Sequence, residues 1–173
     1  MINVITCTLC LTHNCTLRCK YCYAGRKYSH AMSRETAQRA IDIVFDEARR
    51  TGQGADISFF GGEPLMEWEL LQWCHEYART HAQGLIVPPR FSVTTNGTLL
   101  TPERLNRLAE RDFLIGLSID GSAAMHNTNR CHPDGSGSHT DVAEALALIE
   151  AHPTVRSQAI CVVTPNNVHH LCE

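Results

Sequence analysis

Residues 4–22 read VITCTLCLTHNCTLRCKYC, a β-rich apolar run followed by a cysteine-rich segment. Three of its cysteines, Cys15, Cys19 and Cys22, form a C-x-x-x-C-x-x-C pattern directly after the strand predicted at 4–11. A loop at the end of a strand can wrap around a compact inorganic core, and three thiolates can hold three irons of a cubane 4Fe-4S cluster. The fourth iron then lacks a protein ligand, which leaves a coordination site for a chelating cosubstrate. The pattern predicts a redox cluster with one open iron.

Short cysteine spacings also bind zinc, so a zinc site is the alternative hypothesis. Structural zinc is held by four ligands, which commonly come in two pairs. Cys7 and Cys10 could supply the second pair. They are three residues apart on a predicted strand, however, so their side chains should point to opposite faces of the sheet. The spacing favours the cluster and leaves zinc as the second hypothesis.

Outward from this segment, apolar β-rich runs alternate with helical patterns, which is typical of βα units around a parallel sheet or barrel. The predicted strands are 4–11, 56–60, 90–95, 113–119 and 158–163. Predicted helices begin after the N-cap candidate Ser33, near Leu70, at Thr101 with Pro102 in the first turn, and after Thr140. Residues 130–138 are rich in Gly, Ser and His, which predicts a loop. The fold class is therefore α/β.

The composition is that of one globular domain, with 43% hydrophobic and 19% charged residues. A net charge of -3 without a dense Lys/Arg block argues against nucleic acid as a partner. No apolar run approaches the ~20 residues that cross a bilayer, and the first residues lack the pattern of a signal peptide. We therefore expect a cytoplasmic location and no membrane partner.

The nine cysteines are an odd number in a chain without an export signal, which favours metal binding, catalysis or burial over disulfides. Cys74 lies on an apolar helical stripe and Cys161 lies inside a predicted strand. Both are expected in the core as small apolar side chains.

Four short segments carry a resemblance to a known family. CTLRCKYCY at 15–23 resembles the cluster loop of the radical S-adenosylmethionine (SAM) superfamily, and FFGGEPLM at 59–66 resembles its GGEP motif. TTNGTLL at 94–100 and GLSIDG at 116–121 resemble the turns after its third and fourth strands. Together with Arg130, this set is most similar to the subgroup with C-terminal SPASM domains, which includes anaerobic sulfatase-maturing enzymes and peptide maturases.

The resemblance implies a partial TIM-type (βα) barrel of six units, of which about five are present, with the cluster at the carboxyl ends of the strands. Residues 1–173 would form a radical SAM core domain that is incomplete at its C-terminus and has no SPASM domain. The 4Fe-4S cluster would cleave SAM reductively to methionine and a 5'-deoxyadenosyl radical, which removes hydrogen from a peptide or protein substrate. A donor such as flavodoxin or ferredoxin would supply the electron. The alternative is a truncated cluster- or zinc-binding module without turnover.

The resemblance also implies a SAM site made of Tyr21, Gly62, Glu63, Asn96, Ser118, Asp120 and Arg130. Any acid or base that acts on the substrate would lie beyond Glu173. Glycine lets the backbone approach a ligand closely, and Glu63 could accept a hydrogen bond from the methionine amine of SAM. The alternative to a role in SAM binding is that residues 61–64 are only a strand-to-helix turn.

The remaining candidates also have structural alternatives. Ser118 and Asp120 should face the same side of the fourth strand, near the ribose of SAM, although Asp120 before Gly121 is also typical of an ordinary turn. The planar guanidinium of Arg130 suits the SAM carboxylate, although an exposed arginine is the alternative. Asn96 before Gly97 is either a ligand contact or an ordinary turn residue.

Overall fold

A computed structural model describes residues 3–165 and 167–170 of the 173. It contains one five-stranded sheet in which every pair of neighbouring strands is parallel and the order follows the chain, β1-β2-β3-β4-β5. The strands are β1 Val4–Thr12, β2 Gly54–Gly61, β3 Arg90–Thr95, β4 Phe113–Ser118 and β5 Arg156–Ile160. The predicted α/β class and the five parallel strands are confirmed, and the sheet has the strand order of a partial TIM-type barrel.

Five helices connect the strands: α1 Arg34–Thr51, α2 Trp68–Thr80, α3 Pro102–Glu110, α4 Ala123–Asn129 and α5 His139–Glu150. Short 3-10 helices lie at Pro64–Glu67 and Val168–His170. The predicted N-cap at Ser33 is confirmed, since its hydroxyl accepts a hydrogen bond from the Thr36 amide at 3.1 Å. Among the described residues, we find no helix with the length and hydrophobicity that crossing a membrane requires.

The core lies between the sheet and the helices. Helix α1 buries a stripe at helical spacing against β1 and β2, made of Ala37, Ile41, Val44, Phe45 and Ala48. On the central strands, Phe59, Phe91 and Phe113 form a buried aromatic group, with ring centres 5.6 Å and 5.8 Å apart. Burying each such ring stabilises the fold by about 1.5–3 kcal/mol. Because every strand pair is parallel, the carboxyl ends of all five strands lie along one edge of the sheet.

Two sequence predictions differ from the structure at the end of the sheet. The last strand is Arg156–Ile160 instead of 158–163, and Cys161 is exposed, so its assignment to the core was wrong. Strand β5 has one neighbour in the sheet and its residues are mostly exposed, so burial does not mark its ends. The prediction for Cys74 is confirmed, because its side chain is fully buried.

Helix α4 was absent from the sequence prediction. Its sequence, AAMHNTN, has no apolar stripe that would indicate a helix. Its buried residues are two polar ones, His126 and Asn129, and the His126 ring is held between the Asp120 amide and the Ser138 hydroxyl. The predicted loop at 130–138 follows directly, and a bridge between Cys131 and Gly137 closes it.

Candidate active site

A cavity of about 280 Å³ lies at the carboxyl edge of the sheet. Its wall includes residues that follow or end every strand, from Cys15 after β1 to Val162 after β5. A larger cavity of about 690 Å³ lies between α2 and α3, and none of the candidate residues from the sequence lines it. The smaller cavity is therefore the candidate site, since it joins the separated motifs in one place.

All three motif cysteines, Cys15, Cys19 and Cys22, line this cavity. Their loop is held from outside the motif by the chain after α4. The amide of Arg18 donates to the Cys131 carbonyl at 2.7 Å, and the amide of Lys20 donates to a carbonyl at the end of α4 at 2.9 Å. These two hydrogen bonds hold the cysteine loop on each side of Cys19.

The three sulfurs have different surroundings. The Cys15 sulfur accepts hydrogen bonds from the Leu17 amide at 3.4 Å and from the Asn96 side-chain amide at 3.6 Å. The Cys22 sulfur accepts one from the ammonium of Lys27 at 2.8 Å. Burial raises the pKa of Cys15 and that of Cys19. Burial also opposes ionisation of Cys22, but the Lys27 hydrogen bond and other donors outweigh it, and the pKa of Cys22 is lowered.

The glycines of GGEP lie against the start of the cysteine loop. The Gly62 amide donates to the Thr12 carbonyl at 2.8 Å, and the Glu63 amide donates to the Asn14 carbonyl at 2.9 Å. A side-chain carbon on Gly62 would overlap the Asn14 carbonyl. Gly62 therefore allows two backbone segments to touch, and it also lines the cavity.

Glu63 is fully buried, and its carboxylate accepts three hydrogen bonds. Oε1 accepts from the Leu65 amide at 3.0 Å and the Thr95 hydroxyl at 2.8 Å, and Oε2 accepts from the Asn96 amide at 2.8 Å. Burial raises the pKa of Glu63, and these donors oppose that rise. The carboxylate links the turn after β2 to the end of β3. Its direct contact with a methionine amine stays a prediction, because both oxygens already have donors.

The sequence left open whether Asn96 is a turn residue or a ligand contact, and the structure shows features of both. Its Oδ1 accepts from the Thr98 amide at 3.0 Å, which is the hydrogen bond of a turn. Its Nδ2 donates to the Thr16 hydroxyl at 3.0 Å and points toward the Cys15 sulfur. Asn96 also lines the cavity, so it is both a turn residue and a cavity residue.

Ser118 and Asp120 lie at different depths. Ser118 lines the cavity at the end of β4. Asp120 is fully buried behind the wall, where Oδ1 accepts from the Val162 amide at 3.0 Å and Oδ2 accepts from the Tyr21 hydroxyl. Burial and the hydrogen bond to Asp120 raise the pKa of Tyr21, which keeps its hydroxyl protonated as the donor.

Arg130 is 6% exposed, which excludes the alternative of a surface arginine. Its Nε lies 3.0 Å from Oδ2 of Asp120, and its Nη2 donates to Oδ1 at 3.2 Å. Burial opposes the charge, but Asp120 outweighs it, and the pKa of Arg130 is raised. The guanidinium lies 5.3 Å from the ring centre of Tyr21, and Arg130 lines the cavity.

His126, which no sequence motif indicated, supports this cluster of Asp120, Tyr21 and Arg130. Its Nδ1 accepts from the Asp120 amide at 3.3 Å, and its Nε2 lies 3.0 Å from the Ser138 hydroxyl. The Ser138 hydroxyl donates to the Arg130 carbonyl at 2.8 Å. Its oxygen is then the acceptor for His126, so the proton of the imidazole is on Nε2. Burial, aided by the charge of Arg130, lowers the pKa of His126 to about 4.

Comparison with known proteins identifies the family. The model of the radical SAM superfamily matches residues 9–170, which is most of the chain. The chain belongs to the radical SAM superfamily. The superfamily's cofactors are a 4Fe-4S cluster and SAM, and its members are enzymes.

Radical SAM maturases are among the similar proteins. The cysteine-type anaerobic sulfatase-maturating enzyme of Clostridium perfringens strain 13 is 31% identical over 91% of this chain and 43% of its own length. Mycofactocin maturase MftC of Mycobacterium tuberculosis is 31% identical over 94% of this chain and 39% of its own length. The solved structure of native anSMEcpe with bound AdoMet and the Cp18Cys peptide matches with a TM-score of 0.85 at 30% identity. That match covers 97% of this chain and 45% of the other chain. The chain spans about half or less of the length of the curated relatives it matches.

The residues present fit a radical SAM cluster better than a single zinc ion. Within residues 3–165 and 167–170, no group of three or more His, Cys, Asp or Glu side chains is arranged to hold one metal ion. A zinc ion needs its ligands to converge on one point. A cubane cluster needs three thiolates on three different irons, and the three thiols are placed around one cavity.

Proposed function

We propose that Cys15, Cys19 and Cys22 hold a 4Fe-4S cluster whose open iron binds SAM, in a maturase that acts on a peptide or protein. When bound, the reduced cluster supplies the electron that cleaves SAM to methionine and a 5'-deoxyadenosyl radical, which removes hydrogen from the substrate. One observation carries the proposal: the three thiols share a cavity with Gly62, Asn96, Ser118 and Arg130. Tyr21 also lines the cavity, so these five residues are the proposed SAM contacts that the cavity supports, and a contact with Glu63 or Asp120 stays a prediction.

The proposed roles follow from which residues line the cavity and which of their atoms already have partners. Nε of Arg130 lies within ion-pair distance of Asp120 and Nη2 donates to it, so Nη1 is the nitrogen proposed to bind the SAM carboxylate. The Ser118 hydroxyl is proposed to bind the ribose. Tyr21, Glu63 and Asp120 are proposed to hold these groups in position, because the two carboxylates are fully buried and the Tyr21 hydroxyl donates to Asp120.

A peptide or protein substrate is supported by the similarity to two kinds of maturase and by the rim of the cavity. Tyr23 lines the cavity and is 82% exposed, so it extends the site toward the surface. Exposed tyrosines are common at protein-binding surfaces because one ring offers a large apolar area and a polar tip. The peptide is proposed to approach over this side chain.

The charge distribution supports an acidic electron donor such as a flavodoxin or ferredoxin. Residues 1–34 contain five Lys/Arg and no Asp/Glu, whereas the remaining residues have a net charge of -8. Arg18, Lys20 and Arg26 are exposed on the cluster loop. Rising ionic strength should slow SAM cleavage driven by a reduced acidic protein more strongly than cleavage driven by dithionite, which is a small anion. Equal salt dependence with both reductants would contradict this docking.

The decisive experiment is anaerobic reconstitution with iron and sulfide, then reduction and assay for 5'-deoxyadenosine from SAM. Cys19→Ala should abolish the product, and the matched variant Cys161→Ala should retain it because Cys161 is exposed and outside the cavity. About one zinc per chain with no sulfide would refute the cluster. A cluster without deoxyadenosine would instead support the alternative of a module without turnover.

A further inference from the structure

A lysine contacts one of the proposed cluster ligands at the cavity. The Lys27 ammonium donates a hydrogen bond to the Cys22 sulfur at 2.8 Å, and both residues line the cavity. The chain has only two lysines, and the other, Lys20, is exposed beside Cys19. The two lysines therefore sit next to different cysteines of the same motif, but they differ in burial and in contact.

We propose that Lys27 is a positioning residue that raises the reduction potential of the cluster through its hydrogen bond to Cys22. The inference rests on the proposed cluster site and assigns to it a charged donor that the motif does not contain. Lys27 is not a ligand in this proposal. It acts through the sulfur of Cys22.

The physical reason lies in the charge of the reduced state. One-electron reduction adds a negative charge that is shared by the irons and the sulfurs, and donors to the sulfurs stabilise that charge. An ammonium carries three donors and a full positive charge, so its hydrogen bond is stronger than that of a neutral amide. The oxidised cluster is stabilised less, because its sulfurs carry less negative charge.

The three cysteines are unequal in this respect. Cys15 accepts from two neutral amides, at 3.4 Å and 3.6 Å, whereas Cys22 accepts from a cation at 2.8 Å. Apolar side chains of Leu17, Ile160 and Val162 also line the cavity. They limit screening by water, so the charge of Lys27 acts more strongly there than on an open surface.

The two lysines provide a matched pair for the test. Lys27→Met removes a charge and a hydrogen bond, whereas Lys20→Met removes a charge beside the same cluster without the hydrogen bond to Cys22. Each reconstituted protein is titrated anaerobically with dithionite in the absence of SAM, and the reduced cluster is followed by electron paramagnetic resonance. Iron and sulfide content are measured on the same samples.

Lys27→Met should lower the equilibrium constant for reduction roughly tenfold, which is about 59 mV for a one-electron couple. Lys20→Met should shift the potential by less than half as much. An unchanged potential in Lys27→Met, or equal shifts in the two variants, would overturn the role of the hydrogen bond. If Lys27→Met does not assemble a cluster, Lys27→Gln takes its place, and a wild-type potential in that variant overturns the proposal. Failure of the wild-type protein to assemble a cluster is a separate outcome that refutes the proposed function itself.

Discussion

Arg130 and Asp120 form a buried ion pair behind the cavity, with Nε of Arg130 3.0 Å from Oδ2 of Asp120. The pair joins the end of β4 to the loop after α4 and also receives the Tyr21 hydroxyl from the cysteine loop. The Val162 amide, after β5, also donates to Oδ1, so four segments of the chain meet at one carboxylate. The stability of the site depends on this carboxylate more than on any exposed charge.

Asp120→Ala should lower the free energy of unfolding by about 3–5 kcal/mol, because it leaves the Arg130 cation buried without its partner. Urea unfolding measures this change. Glu35→Ala is the matched control, since Glu35 and its partner Arg39 are 74% and 76% exposed and the loss should be below about 1 kcal/mol. The double change Asp120→Ala with Arg130→Met should be more stable than Asp120→Ala alone. Equal losses for Asp120→Ala and Glu35→Ala would contradict this role.

Glu63→Gln should lower the free energy of unfolding by about 1–3 kcal/mol, although the two side chains have nearly the same shape. All three partners of the carboxylate are donors, so the new amide nitrogen would face at least one N–H or O–H. Chemical denaturation measures the loss. Glu67→Gln serves as the control, since Glu67 lies on the 3-10 helix that Glu63 caps and is partly exposed. A Glu63→Gln protein as stable as the control would show that the carboxylate is not needed there.

Gly62→Ala should reduce iron and sulfide incorporation severalfold, because the added carbon would push the Asn14 carbonyl and displace the start of the cysteine loop. Gly135→Ala is the control. Gly135 has a positive φ of 89°, unlike Gly62, but nothing lies within 4 Å of its added carbon, so only local strain is expected. Normal cluster content in Gly62→Ala would show that the loop can move without losing its function.

The protein should lose stability as the pH falls from 6.5 toward 4. Burial lowers the pKa of His75 and that of His126 to about 4, below the ordinary value of about 6.5. Between pH 4 and 6.5 the unfolded chain therefore binds more protons than the folded chain. The free energy of unfolding rises with pH across this range and is fully restored above it. Between pH 6.5 and 5 the loss should be about 1.5 kcal/mol per histidine.

His75→Phe tests this pH dependence at one of the two sites. His75 packs against Phe91 and Phe113, with ring centres 4.6 Å and 5.5 Å away, so an apolar ring suits its surroundings. The variant should match the wild type within about 1 kcal/mol at pH 7.5 and exceed its stability at pH 5. If the variant and the wild type differ in stability by the same amount at pH 7.5 and at pH 5, His75 does not contribute to the pH dependence.

The sequence predicted the parts of the fold that burial determines. Strands β1 to β4 and the stripe of α1 repeat apolar residues at the period of their element, and their positions agree with the structure to within two or three residues. Strand β5 and helix α4 lack such periods, since one is mostly exposed and the buried residues of the other, His126 and Asn129, are polar. Their positions depend on neighbours that are distant in sequence.

The same limit applies to the candidate site. The three cysteines, Gly62 and Ser118 lie in short motifs, and the structure places them around one cavity. The partners of Asp120 could not be predicted, because Tyr21 is 99 residues away and the hydrogen bond exists only in the folded chain. Lys27 was also missed, because a lysine in a loop is usually exposed and no spacing rule connects it to a cysteine sulfur.

In chain order, the first residues that line the cavity lie after β1 and the last lie after β5. During translation the cysteines therefore leave the ribosome long before Ile160 and Val162 do, and chains begin to fold from the N-terminus as they emerge. A metal cluster bound to the cysteines before β5 has formed would be exposed to water and oxygen on the side that Ile160 and Val162 later cover. We expect the apoprotein to complete its sheet first and to receive iron and sulfide afterwards.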